Sequence, residues 1–334
     1  MPQSRVVHCA IHRFTVAFIA CAAAAVPGAV DAQQAAYPNR TVRVIVPFSA
    51  GSPIEIPARI IAKHLVESMG QPFVIDNRTG ASGTIGSELV AKSPPDGYTL
   101  LFTNCSHSSN PANYKKLPYN TLRDFTPIIQ SNVTYGNMLV VHPSIPAHTV
   151  KEFVALARAR PGQLNFASAG IGSPPHVAGA LFAAMAGIKL VHVPYKGTAV
   201  AFNDVLGGHV EVMFASPTYV HPHIQAGRVR PLGIGGPRRT PILPDVPTFA
   251  EAGVSGAESI CYHGMFFPAG VPMDIVRRLN AEVAKVIAMP EVHKYLEDNG
   301  LVPVGNSPED FAEYLKKDVA LQASIAKRIG IQPQ

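Results

Sequence analysis

Apolar and polar positions along the chain fall into short blocks with two alternating periods. Residues 42–47 (Val-Arg-Val-Ile-Val-Pro) read as a buried strand running into a Ser-Ala-Gly-Ser turn. Over 55–69, Ala58, Ile61, Leu65 and Met69 recur at helical spacing, and Gly70 supplies the stop. A strand over 73–76, a small-residue loop, a short helix over 85–91 and a strand over 98–103 continue the alternation. The rhythm returns in the middle of the chain. Thr149 and Glu152 form a capping box that opens a helix ending near Pro161-Gly162, and a strand over 164–167 follows. Further strands are predicted over 190–193, 210–214 and 229–234, with helices over 177–186, 199–206 and 219–226. The last third is helical over 273–288 and 291–299, and again from Ser307-Pro308, with acids in the first turn. Strands alternating with helices predict an α/β protein with mostly parallel sheets.

Two apolar strands stand outside this rhythm, over 137–141 and 262–267. If both pass between domains, lobe 1 is discontinuous (38–139 with 262–334), lobe 2 covers 140–261, and a cleft separates them. A length of 334 residues suits two domains. The 47% hydrophobic content excludes a disordered chain, and 15% charged residues is too few for a coiled coil. The 28 Lys and Arg exceed the 22 Asp and Glu, but the excess sits in isolated pairs such as Lys115-Lys116 and Arg277-Arg278. No basic run with interleaved aromatics forms, so nucleic acid is not an expected partner.

Residues 1–32 read as a secretory signal peptide: Arg5 and Arg13, an apolar stretch over 14–26, then the small-residue exit Val30-Asp31-Ala32. The apolar stretch is shorter than the ~18–20 residues needed to span a bilayer, so no stable membrane insertion of the mature chain is expected. Cleavage after Ala32 removes Cys9 and Cys21 and leaves Cys105 and Cys261. These are expected to be unpaired thiols, because a chain of this length builds its core without staples.

Candidate chemistry lies in loops rich in Gly, Ser and Thr: Ser49-Ala50-Gly51-Ser52, the loop from Gly80 to Thr84, the stretch from Thr103 to Ser109, and the loop from Ser168 to Ser173. Glycine allows close backbone approach, free N–H groups at a helix start attract anions, and hydroxyls add neutral donors. Together they suit a carboxylate or another small anion. His176 stands at a helix start beside one of these loops. Catalytic patterns fail: Gly170-Ile171-Gly172 lacks a third glycine, and no nucleophile elbow, phosphate-loop lysine, Cys-x-x-Cys or His-Glu-x-x-His occurs. His221-Pro222-His223 has no nearby third ligand, so no metal and no cofactor are expected. Cys105 with His107 is a weak candidate dyad.

A set of short motifs then occurs in order: Val44-Ile45-Val46-Pro47-Phe48-Ser49-Ala50-Gly51, Asp76-Asn77-Arg78-Thr79-Gly80, Asp96-Gly97-Tyr98-Thr99-Leu100, Val193-Pro194-Tyr195-Lys196-Gly197, Leu243-Pro244-Asp245-Val246-Pro247-Thr248 and Phe267-Pro268-Ala269-Gly270. In this the chain resembles the substrate-binding receptors of tripartite tricarboxylate transporters, the Bug family. The resemblance implies a type II periplasmic binding protein: two α/β lobes, joined by crossing strands, closing on an organic acid. It also implies a monomer that delivers its ligand to a two-subunit membrane permease. Carried over by position, the implied ligand-binding residues are Phe48, Ser49, Ala50, Gly51 and Ser52, then Ser82 and Thr84, Thr103 and Asn104, and in the second lobe Ser168, Ala169, Gly170, Ser173, His176 and Tyr195. Three positions depart from the family pattern. Ser52 replaces a second glycine, Glu55 stands for an aspartate, and Ala215 for another aspartate after Val212-Met213-Phe214. Loss of that last acid disfavours a ligand amine. Two other readings remain open: a ligand-responsive periplasmic sensor subunit, and a secreted hydrolase using Cys105 or a serine.

Overall fold

The structure, a computed structural model, describes residues 37–333, so the signal peptide read over 1–32 lies outside the described residues. The chain opens with β1 (Val42–Val46), α1 (Glu55–Met69), β2 (Phe73–Asn77), α2 (Thr84–Ala91), β3 (Thr99–Asn104), α3 (Ser106–Asn113) and β4 (Phe125–Thr134). It continues through β5 (Met138–Val141), α4 (Val150–Ala159), β6 (Asn165–Ser168), α5 (Pro174–Ala186), β7 (Val191–Pro194), α6 (Thr198–Leu206), β8 (Val212–Ala215), α7 (Pro217–Gln225) and β9 (Arg230–Ile234). It closes with β10 (Tyr262–Pro268), α8 (Met273–Ala288), α9 (Pro290–Asp298), β11 (Leu301–Pro303) and α10 (Pro308–Arg328).

Local chemistry explains most of these limits. Gly70 and Gly187 end α1 and α5 in the left-handed conformation, at φ 70° and 62°. Thr149 Oγ1 accepts the Glu152 amide at the start of α4, and Ser307 Oγ accepts the Asp310 amide at the start of α10. The helices bury one face: Ala58, Ile61 and Leu65 of α1 meet Val276, Leu279 and Val283 of α8 in one cluster beneath the first sheet.

Two sheets result. The first has the order β11-β4-β10-β3-β1-β2, and the second β7-β6-β8-β5-β9. Parallel pairing joins β1 to β2 and β3, and β6 to β7 and β8, while β10, β4 and β11 run antiparallel in the first sheet and β5 in the second. The molecule is therefore mixed α/β with two lobes. The alternation of strands and helices holds, but among the described residues antiparallel pairings outnumber parallel ones five to four, so the sheets are not mostly parallel as the alternation predicts. The reason is that β4, β5, β10 and β11 stand outside the strand–helix rhythm.

Three further features differ from the sequence reading. The stretch from Thr103 to Ser109 is not a loop: Thr103 and Asn104 end β3, and α3 starts at Ser106. Strand β4 was hidden by its polar centre, Gln130-Ser131-Asn132, which is buried inside the sheet and bonded there. And Cys105 and Cys261 are not free thiols but a disulfide. The antiparallel register sets His263 opposite Asn104, so the next residue after Asn104 and the second before His263 come within 5.2 Å at Cα.

The chain passes between the sheets at two adjoining segments. Cys261 O accepts the Thr134 amide at 2.8 Å, Asn137 O accepts the Gly235 amide at 2.8 Å, and Gly235 O accepts the Ser259 amide at 2.7 Å. The segments lie so close that a Cβ on Gly136 would stand 2.2 Å from Gly235 O, and one on Gly236 1.8 Å from Tyr135 O. Only glycine fits there.

Candidate functional site

The ends of β1, β3, β6 and β8 and the crossing segments surround a cavity of about 570 Å³. Open α/β sheets place ligands at such strand ends. Ten residues singled out in the sequence line it: Phe48, Ser49, Ser52, Ser82, Asn104, Ala169, Gly170, Ser173, Tyr195 and Ala215. The other seven, Ala50, Gly51, Glu55, Thr84, Thr103, Ser168 and His176, lie outside its wall.

The reasons are local. The Glu55 carboxylate accepts the Gly51 amide at 2.6 Å and an Arg59 N–H at 2.7 Å. Burial works to raise its pKa, but these two donors pull it below the ordinary carboxylate value. Glu55 thus fills the anion position at the start of α1 with the protein's own acid. Ser52, one turn earlier, is buried against the cavity, and its Oγ has no partner among the described residues. Thr84 Oγ1 accepts from Asn110 Nδ2 behind the wall.

Residues 80–83 form the most unusual wall segment. All four have positive φ, including Ala81 at 47° and Ser82 at 50°. Non-glycine residues pay for that conformation, and such strain collects at ligand sites. The Ala81 and Ser82 amides have no protein acceptor among the described residues. The Ser82 hydroxyl donates to Ile171 O at 2.8 Å, directly across the cleft.

In the second lobe, α5 starts with Pro174 and Pro175, which have no N–H to give, so its helix start is a poor anion site. The loop before it is held from behind instead. Ser168 Oγ accepts the Gly170 amide at 3.1 Å and lies 2.6 Å from His192 Nε2, while His176 Nδ1 accepts the Gly172 amide at 3.0 Å. The two imidazoles stack at 4.0 Å. Burial lowers the pKa of His176 to about 4 and, with the adjacent His176, that of His192 to about 3, so both are neutral supports. The Tyr195 hydroxyl donates to Asp204 at 2.6 Å, and burial with this acid pushes its pKa up to about 12.

Sequence reading missed part of the wall: Thr134, Asn137, Cys261 and His263 beside the crossing segments, and Lys196, Gly197 and Thr198 at the start of α6. Lys196 and Gly197 were visible as a motif, whereas nothing local marks Thr134 or His263. Among the described residues lining the cavity none is Asp or Glu, and Lys196 carries the one formal charge. Cys105, locked in its disulfide, offers no thiolate nucleophile.

Two α/β lobes with a cavity between them, walled from both sides and lined without acids among the described residues, define a solute-binding protein of the periplasmic type. The chain belongs to the tripartite tricarboxylate transporter receptor family, whose profile matches residues 57–331. It is 42% identical over 284 residues to the UPF0065 protein in the tcbD–tcbE intergenic region of Pseudomonas sp. strain P51, covering 85% of this chain and 84% of that one. It is 32% identical over 318 residues to the protein BugT of Bordetella pertussis, covering 94% and 95%. Among solved structures, the R. palustris protein Rpa4515 with adipate superposes with a TM-score of 0.85 at 36% identity, covering 89% of this chain and 100% of that one.

Proposed function

We propose that this chain captures a small organic acid in the interlobe cavity, in the periplasm, and delivers it unchanged to a two-subunit permease of its family. The observation that supports this reading most is the absence of any acid among the described lining residues, beside the unpartnered amides of Ala81 and Ser82. Backbone amides bind a carboxylate without importing a competing charge. The adipate held by Rpa4515 favours the same ligand class. Its action is closure: contacts from both lobes stabilise the closed form over the open one, and the permease reads the closed surface. The lobe limits proposed for this movement are those read from the sequence, 38–139 with 262–334 and 140–261, with the first boundary moved back before Met138 so that β5 stays whole in the second lobe.

The test is thermal unfolding of the mature chain, first unfolded and refolded to strip captive ligand, against mono- and dicarboxylates, aromatic acids and amino acids. An acid at 100 times its dissociation constant stabilises the native state by about 2.7 kcal/mol. Ser49→Tyr and Ala169→Tyr, one on each side of the cleft, should each remove that response with an unchanged far-UV spectrum. An absence of response to every acid, or an undiminished response in both variants, overturns the assignment.

A further inference from the structure

The far end of the cavity, beside the crossing segments, is polar but uncharged, and its chemistry is set by a buried hydrogen-bond chain. His263 on β10 stands opposite Asn104 on β3, and neighbours in antiparallel register put their side chains on one face. Both line the cavity. Ser131 Oγ lies 3.1 Å from the backbone oxygen of His263, which can only accept, so the hydroxyl must donate there. That hydroxyl then accepts from Asn132 Nδ2 at 3.0 Å. The Asn132 amide is thereby oriented with Oδ1 facing His263 Nδ1, at 2.8 Å. Nδ1 must carry the proton, and Nε2 is left as a bare acceptor. Nε2 makes no bond among the described residues, and His263, though buried, is one of the residues that line the cavity. Beside it, Asn104 has Oδ1 committed to the Ser106 amide at 3.0 Å, which leaves its Nδ2 donor free.

We infer that His263 is a specificity-determining residue: its Nε2 accepts a hydrogen bond from a hydroxyl or N–H at the end of the ligand remote from its carboxylate, and Asn104 Nδ2 donates to the same group. The inference rests on the acid-binding reading of the cavity. A hydroxyl offers one donor and one acceptor and satisfies both residues. A second carboxylate has no proton for Nε2 and sets its lone pairs against the imidazole's, and a methyl group leaves both polar atoms unpaired. Burial holds the imidazole pKa at about 4, so it does not turn cationic to rescue a second carboxylate near neutral pH.

Two matched probe series test this by calorimetry on the refolded chain: 4-hydroxybenzoate, terephthalate and 4-methylbenzoate, and 6-hydroxyhexanoate, adipate and hexanoate. In a series that fits the cavity, the hydroxyl probe should bind at least about tenfold more tightly than the other two, since a site built to pair a hydroxyl rejects the analogue lacking it. In His263→Phe that ratio should fall below about threefold, as expected when one pairing is lost. A dicarboxylate or methyl probe that binds as tightly as the hydroxyl probe overturns the inference and leaves the acid-binding reading standing. Failure of all six probes overturns the inference, and the acid-binding reading falls with it only if the wider panel of acids also gives no thermal shift. The wild-type chain supplies an independent check if His263→Phe does not fold: nitrogen-15 NMR should show His263 protonated at Nδ1 and bare at Nε2, and the opposite tautomer overturns the inference.

Discussion

His107 shows how one buried side chain shapes the behaviour of the whole chain in acid. It is packed against Phe125 at 4.6 Å and Phe266 at 5.0 Å, and neither ring nitrogen has a partner among the described residues. Burial lowers its pKa to about 3. His176, His192 and His263 are shifted the same way, to about 4, 3 and 4. In the unfolded chain each returns to roughly 6.5. As pH falls through that value the unfolded state takes up protons that the native state refuses, so stability declines from about pH 6.5 toward the folded values near 3–4. His107→Phe fits the same aromatic surroundings and removes one such proton. It should be at least as stable as wild type at pH 7.5 and gain about 2 kcal/mol on it at pH 5, measured by urea unfolding. Parallel pH profiles for the two proteins would show that His107 carries no part of the acid sensitivity. None of this was visible in sequence, where His107 figured only as a neighbour of Cys105.

At the scale of elements, the least legible piece is α3. Its sequence, Ser-His-Ser-Ser-Asn-Pro-Ala-Asn, is rich in poor helix formers and has an internal proline. Tertiary contacts hold it. The disulfide fixes Cys105 at its start to Cys261 before β10, and the Ser108 hydroxyl donates to the buried Asp318 carboxylate on α10. Burial raises the Asp318 pKa, and Gln322 adds a second donor. The disulfide spans 156 residues, a long loop to leave open in the unfolded chain. The double variant Cys105→Ala/Cys261→Ala should therefore lose about 2–5 kcal/mol in denaturant unfolding. Amide exchange should accelerate first in α3. If α3 exchanges no faster than α1 in that variant, the disulfide does not hold the helix. By contrast α1 and α8 were read to the residue, because their apolar stripe and end signals are local.

Across the whole molecule, some contacts join the lobes without lining the cavity. Ser109 Oγ lies 3.2 Å from Gly172 O and does not line the cavity. A hydrogen bond of this kind is worth about 0.5–1.5 kcal/mol. If it forms only on closure, Ser109→Ala should weaken binding of the acid found by thermal unfolding about threefold to tenfold, chiefly through faster dissociation in stopped-flow measurements. An unchanged affinity would mean that this contact is equally present in the open form and contributes nothing to closing.

The residues alone determined the α/β alternation, most helix limits, the family likeness and the glycine- and hydroxyl-rich loops that wall much of the cavity. These are legible because helical period, capping residues and turn glycines act within a few positions of one another. Only the tertiary structure decided the Cys105–Cys261 bond, the helical state of α3, the buried polar strand β4 and the tautomer of His263. Each rests on residues more than a hundred positions apart, such as Asn132 and His263, brought together by strand order and register. It is the register that sets His263 against Asn104 and gives the far end of the cavity its neutral acceptor.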